Sequence, residues 1–188
     1  MLKNFRLFVL CFILQSIIFA HGQTRPFLNG NATPLVIGET FTINSKILSD
    51  WEQHPNKDRY KEEVFKDFFR EALESGGALL AIDCADRQVI GSSRFYGYDE
   101  EKSEIEIGWT FLARSHWGGN YNREMKQLML RHAFKFVNNV VFLVGPQNLR
   151  SQKAVEKIGG VRIDSMFDDT GKESFVYQIN ASVFEGEN

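Results

Sequence analysis

One stretch, from Glu104 to Phe136, constrains the fold of this 188-residue chain more than any other. It opens in strict alternation, with Ile105, Ile107 and Trp109 on one face and Glu104, Glu106 and Gly108 on the other. That is the period of a β-strand with one face buried. It closes with Tyr121, Met125, Leu128, Met129, His132 and Phe136, the spacing of a helix's apolar stripe. Between them lies Arg114-Ser115-His116-Trp117-Gly118-Gly119-Asn120, a glycine-bearing turn entering the helix. Such a turn offers backbone N–H groups and the positive end of a helix dipole, which together bind phosphate. Strand, anion-binding turn and helix in this order describe a nucleotide-type cofactor site.

The length suits one domain with a substantial core. A formal net charge of −2 gives no electrostatic footprint for nucleic acid, and no basic stripe supplies one locally. The two cysteines, Cys11 and Cys84, have no metal-ligand spacing, so no metal is expected.

The N-terminus reads separately. Lys3 and Arg6 precede an apolar run from Leu7 to Ala20, and Ala20-His21-Gly22 offers small residues around a cleavage point. Residues 1–22 therefore have the pattern of a secretory signal, too short for a comfortable membrane span. An uncleaved anchor, the only membrane contact foreseen, or a buried helix is the other reading. Residues 23–48 follow as a linker and a short strand around Glu39 to Lys46. This piece resembles the opening strand of secreted esterases of the α/β-hydrolase type. No G-x-S-x-G nucleophile turn continues that likeness downstream.

From Ser49 the character changes, and residues 49–182 read as one domain with 183–188 as a tail. The spacing predicts a helix over Tyr60 to Ser75, with Val64, Phe65, Phe68, Phe69, Ala72 and Leu73 on one face. Strands at Ala78 to Asp83, Val89 to Tyr98 and Glu104 onward have hairpin-length connections, which predicts an antiparallel meander. After the central helix come a strand at Val140 to Val144 and a helix from Asn148 to Lys157 stopped by Gly159-Gly160. Val161 to Met166 and Ser174 to Ile179 then form a hairpin. The fold class is α/β (α+β), a mixed, mostly antiparallel sheet flanked by helices.

This order of elements resembles the GNAT N-acetyltransferases, in particular the branch of the ribosomal-protein N-terminal acetyltransferases. Three places carry the resemblance. Ile105-Glu106-Ile107-Gly108-Trp109 resembles the fourth strand, and Trp117-Gly118-Gly119-Asn120-Tyr121 the acetyl-CoA pyrophosphate loop. Asn148-Leu149-Arg150-Ser151 with Glu156-Lys157-Ile158-Gly159-Gly160 resembles the segment after the fifth strand. The likeness spans about Asp50 to Ile179, so the family's first strand and helix are expected to be missing or replaced, with Glu39 to Lys46 standing in for the strand. Ser115 and Asn120 depart from the family loop, Asn120 as a residue that tolerates left-handed backbone. Val155 stands where many members carry a tyrosine acting as general acid.

The resemblance implies acetyl-CoA as co-substrate and an N-acetyltransferase acting on a primary amine, either a small molecule or a protein N-terminus. Such transfer needs the thioester held, the amine deprotonated and the oxyanion stabilised. Trp117, Gly118, Gly119, Asn120 and Tyr121 would bind the pyrophosphate, with Arg114 as a nearby cation and Asn148 on the cofactor arm. Pantetheine would pair with the backbone after Glu106, at Trp109. Glu106 would be the general base through water, and Ser151 a contact to the thiol end. Trp51, His54, Arg94 and Tyr96 are candidates for the acceptor wall.

Other readings stand beside these. Glu104 and Glu106 fit a solvated strand face, Arg114 a surface cation, Asn148 a helix N-cap, and Ser151 a small first-turn residue. His132 fits a core histidine and His116 a loop surface. The other functional class is a catalytically weak or inactive acyl-CoA-binding remnant in a composite, exported chain. Judged by the signal the chain is exported or membrane-targeted, and judged by the cofactor it is cytoplasmic. A homodimer stays open.

Overall fold

The computed structural model describes residues 7–11, 58, 61–83, 86 and 88–185. Its strands are β1 (Leu7–Cys11), β2 (Ala78–Asp83), β3 (Val89–Asp99), β4 (Glu104–Leu112), β5 (Asn139–Val144), β6 (Val161–Phe167) and β7 (Glu173–Asn180). The helices are α1 (Glu62–Glu74), α2 (Tyr121–Ala133), α3 (Leu149–Glu156) and α4 (Ala181–Glu185), with a 3-10 turn at Arg114–His116. The sheet order is β1-β2-β3-β4-β5-β7-β6. β4 and β5 run parallel, whereas β1–β2, β5–β7 and β6–β7 are antiparallel. This is the mixed α/β architecture read from the sequence. The chain divides into two compact units, 1–93 with 110–119, and 94–109 with 120–188.

In the first unit, Leu79, Ala81, Ile82, Ile90, Phe111, Leu112 and Ala113 are buried. β1 pairs with β2 from Leu7↔Asp83 to Cys11↔Leu79. Part of the apolar run read as a signal thus holds the position beside β2. Glu39 to Lys46, expected as the substitute strand, lies outside the described residues. α1 forms where the 3.6 period places it, with Phe65 against the rings of Phe68 and Phe69 at 6.4 and 6.2 Å. Its apolar face is covered only in part, since Phe69 and Leu73 are 45% and 38% exposed.

In the second unit the core is Ile105, Ile107, Met125, Met129, Leu130, Ala133, Val140 and Ile179. Ile105 and Ile107 face inward as the alternation requires. The buried line of α2 is Met125, Lys126, Met129, Leu130 and Ala133, turned from the expected stripe. Tyr121, Leu128 and His132 are half-buried, and Phe136 follows the helix in a turn. His132 lies between the rings of Phe95 and Phe136 at 5.9 and 5.4 Å, a packing role. The Ser103 carbonyl accepts from the amides of Asn138 and Asn139, which sets the start of β5 beside the start of β4. β5 and β7 then pair from Asn139↔Asn180 to Val144↔Phe175.

Candidate active site

Arg94, Glu106, Lys126 and Asn148 belong to the second unit. β4 and β5 pair through Glu104↔Asn139, Ile105↔Val140 and Glu106↔Val141, whereas β5 runs on to Val144. The parallel register therefore ends at Glu106. Three residues on, Trp109 has φ +50, left-handed backbone that costs a bulky residue about 1–2 kcal/mol. The strand's alternation stops there, with Phe111 and Leu112 both buried after Ile105 and Ile107.

Glu106 is half-buried at this point. Its carboxylate folds back over Gly108, where a methyl group would stand 2.7 Å from Oε1. Burial raises the Glu106 carboxyl to about 7, with Arg94 and then Lys126 pulling in the opposite direction. A carboxyl poised there suits general-base work near neutral pH.

Arg94 is only 4% exposed, so it lies under the surface rather than on an open acceptor wall. Its guanidinium carbon is 4.7 Å from the centroid of the Trp109 ring, a cation–π contact. Tyr96 meets Trp109 edge-on at 5.2 Å and is 52% exposed. Trp51 and His54 lie outside the described residues. Glu104 is half-buried and accepts from Gln178 Nε2 at 3.4 Å.

α3 places the remaining candidates. Asn148 is its N-cap, and Oδ1 accepts from the Ser151 amide at 3.2 Å. The capping role is therefore realised, and Nδ2 is the atom left to act as a donor toward a cofactor. Ser151 is half-buried in the first turn. Gln152 Nε2 donates to the carbonyls of Gly145 and Pro146, tying the helix start to the end of β5. Val155 is buried, and Gly160 N donates to its carbonyl while Gly159 takes φ +91. This is the glycine stop expected from the sequence. Val155 has no proton to give, so the family's tyrosine acid has no counterpart at this position.

The turn of the first unit works through backbone. Arg114, Trp117, Gly118 and Gly119 are exposed, as is Asn120 after them. Trp117 N donates to the Arg114 carbonyl at 3.1 Å, so this amide belongs to the turn and not to an anion. Trp117 Nε1 donates to Leu112 O at 2.7 Å and anchors the ring. Left-handed backbone occurs at Gly118, φ +74, with open space where a side chain would stand. Asn120 is right-handed, φ −84 and ψ −9, so the expected tolerance of Asn120 for left-handed backbone is not used. Tyr121 begins a 13-residue helix whose first-turn amides lie outside its own hydrogen-bond ladder. Helix N-terminal amides of this kind favour anions. His116 is more enclosed than a loop-surface residue: Ser115 Oγ lies 2.9 Å from its Nδ1, and Asp83 Oδ2 lies 3.6 Å from its Nε2.

Residues 33–161 match the family described as Acetyltransferase (GNAT) domain. The chain belongs to the GNAT acetyltransferase family. The match begins at residue 33, within the segment read as linker and esterase-like strand. A putative acetyltransferase from T. thermophilus is 25% identical with a TM-score of 0.59, over 77% of this chain and 86% of that one. A GCN5-related N-acetyltransferase from Brucella melitensis is 15% identical with a TM-score of 0.62, over 74% and 72%. A putative ribosomal-protein-serine acetyltransferase from Vibrio cholerae is 14% identical with a TM-score of 0.58, over 73% and 90%. The last two share the fold alone. No curated protein matches the sequence.

GNAT acetyltransferases take acetyl-CoA as co-substrate, so acetyl transfer is the family-level activity. Lys126 and Gly108 were missed. Lys126 stands one residue from Met125 on α2 and is 5% exposed, with Nζ 5.5 Å from the Phe142 ring centroid. Burial pulls its ammonium down to about 7 while the charge of Glu106 pulls it up. The signal lay in the helix period: Lys126, Leu130 and Ala133 share one line. Among the described residues no group of three or more His, Cys, Asp or Glu could hold a metal. No described helix is long and apolar enough to cross a membrane.

Proposed function

We propose that this GNAT chain transfers the acetyl group of acetyl-CoA to a primary amine, with Glu106 as the general base. The observation that carries the reading is Glu106 itself: a half-buried carboxyl at the end of the β4–β5 register, raised to about 7. Acetyl-CoA supplies the activated thioester. Gly118, Gly119, Asn120 and Tyr121 would hold its pyrophosphate, Arg114 would add a cation, and Asn148 Nδ2 would donate to the arm. Glu106, ionised, takes the ammonium proton of the acceptor through a water. The backbone of β4 beyond Glu106 would supply an N–H to the developing oxyanion. Tyr96 and Trp109 would line the acceptor, and Ser151 would stand at the thiol end.

The acceptor class within this reading is a small amine or a protein N-terminus. Acetyl-CoA binding and thiol release are to be measured across a panel of polyamines, amino acids and peptides, with Glu106→Gln beside the parent. Amine-dependent turnover lost in Glu106→Gln supports the reading. Binding without turnover on any amine points to an acyl-CoA-binding remnant, and no binding contradicts both.

A further inference from the structure

Ser115, His116 and Asp83 form a line within the first unit, outside the residues assigned to acetyl transfer. Ser115 Oγ lies 2.9 Å from Nδ1 of His116. Nε2, on the other side of the same ring, lies 3.6 Å from Oδ2 of Asp83. A hydroxyl within hydrogen-bond reach of a base, with the base oriented by a third group, is the arrangement that activates a serine nucleophile. The chain has no G-x-S-x-G turn, but such a line is defined by geometry and roles rather than by sequence order. Exposure is graded along it. The side chains of Asp83 and His116 are 11% and 20% exposed, whereas Ser115 stands at the surface. The hydroxyl is thus open to a substrate while the two groups behind it are enclosed. Both ends of the line are anchored. Asp83 ends β2, where its amide donates to the Gln88 carbonyl at 2.9 Å. On the turn, Ala113 N donates to Ile90 O at 2.8 Å and His116 N to Ala113 O at 2.9 Å. A carboxylate only accepts, so Asp83 favours the imidazole proton on Nε2. Nδ1 then carries the lone pair, and Ser115 Oγ donates to it.

We propose that Ser115 is a nucleophile toward small carboxylic esters, with His116 as its base and Asp83 as the positioning residue for the ring. Ser115 Oγ attacks the ester carbonyl, and its proton passes to His116 Nδ1. The bond between the acyl carbon and the alcohol oxygen breaks, and the alcohol leaves with that proton. Water then attacks the acyl-Ser115 ester, giving the carboxylic acid and restoring the hydroxyl. The exposed backbone of Gly118 and Gly119, on the same turn, is the source of N–H groups for the oxyanion. This activity is independent of the base role of Glu106, which belongs to the other unit.

The test treats the full chain with a fluorophosphonate, locating the modified residue by peptide mass spectrometry, and separately follows turnover of p-nitrophenyl acetate. Phosphonylation falls on Ser115, and its rate drops about 100-fold or more in His116→Gln. Ester turnover is lost in Ser115→Ala. Modification only at other residues, a rate unchanged in His116→Gln, or turnover unchanged in Ser115→Ala overturns the proposal. Asp83 is tested through the 15N spectrum of the His116 ring, recorded with the ring neutral. The proton sits on Nε2 in the parent and spreads to Nδ1 in Asp83→Asn, where turnover also falls, and Asp83→Glu restores both. A parent ring protonated on Nδ1 overturns the proposal, and a tautomer unchanged in Asp83→Asn overturns the role of Asp83. Should Asp83→Asn not fold, the parent tautomer and the two variants on the turn decide the matter.

Discussion

The turn at Arg114 to Gly119 and the cluster of Arg94, Glu106 and Lys126 are both polar, yet they are built in opposite ways. The turn is exposed, and its working groups are backbone amides set by one left-handed glycine, Gly118. The cluster is enclosed, and its working groups are side-chain charges held where water is scarce. Geometry carries the first and charge the second. The turn should therefore respond to changes in backbone freedom and hardly to pH, whereas the cluster should respond to single charges and strongly to pH.

The largest effect that sharpens this contrast is at Glu106. Glu106→Gln keeps the shape of the side chain and removes the base, so kcat should fall by roughly 10²- to 10⁴-fold. Acetyl-CoA affinity, measured by calorimetry, should stay within about twofold. Equal losses in both would show that the carboxylate serves binding rather than proton transfer.

Gly118 gives the reverse pattern. Gly118→Val meets no neighbour within 4 Å but must adopt φ +74, at a cost of about 1–2 kcal/mol. The KM for acetyl-CoA should rise about tenfold with kcat at saturation nearly unchanged and the acid limb of the pH profile unmoved. A selective fall in kcat would break the contrast.

The smallest effect is at Gly108. A methyl group there stands 2.7 Å from Glu106 Oε1, the far end of a flexible side chain, so the carboxylate moves rather than the strand. Gly108→Ala should lower kcat by about threefold to tenfold while the melting temperature changes by less than about 3 °C. A large drop in melting temperature would mean that the strand, and not the carboxylate, gives way.

The same division explains what was legible in the sequence. Local period and turn chemistry gave α1, β2 to β7, α2 and α3, because apolar alternation, helical stripes and glycine stops are written residue by residue. They also gave Glu106, which stands opposite Ile105 and Ile107 in a strict alternation. What escaped depends on tertiary surroundings. Trp109 shows no sign of left-handed backbone in its side chain. Asn120 looked like the left-handed residue, but Gly118, two positions earlier, takes that conformation at lower cost. Lys126 was passed over because a lysine beside an apolar stripe ordinarily marks its polar edge, and only the turn of α2 against its neighbours buries it. Arg94 looked like an acceptor contact and instead lies under the surface, against Trp109. The cover of α1 was also unreadable, since an amphipathic pattern says which face is apolar and not how far a neighbour reaches along it.

The proposed role of Glu106 as base is tested by the pH dependence of kcat/KM. With Glu106 as the base, activity falls below pH 7 along an acid limb with a midpoint of about 7, and this limb disappears from the residual activity of Glu106→Gln. A parent profile that stays flat from pH 5 to 8, or a limb that persists unchanged in Glu106→Gln, would contradict it.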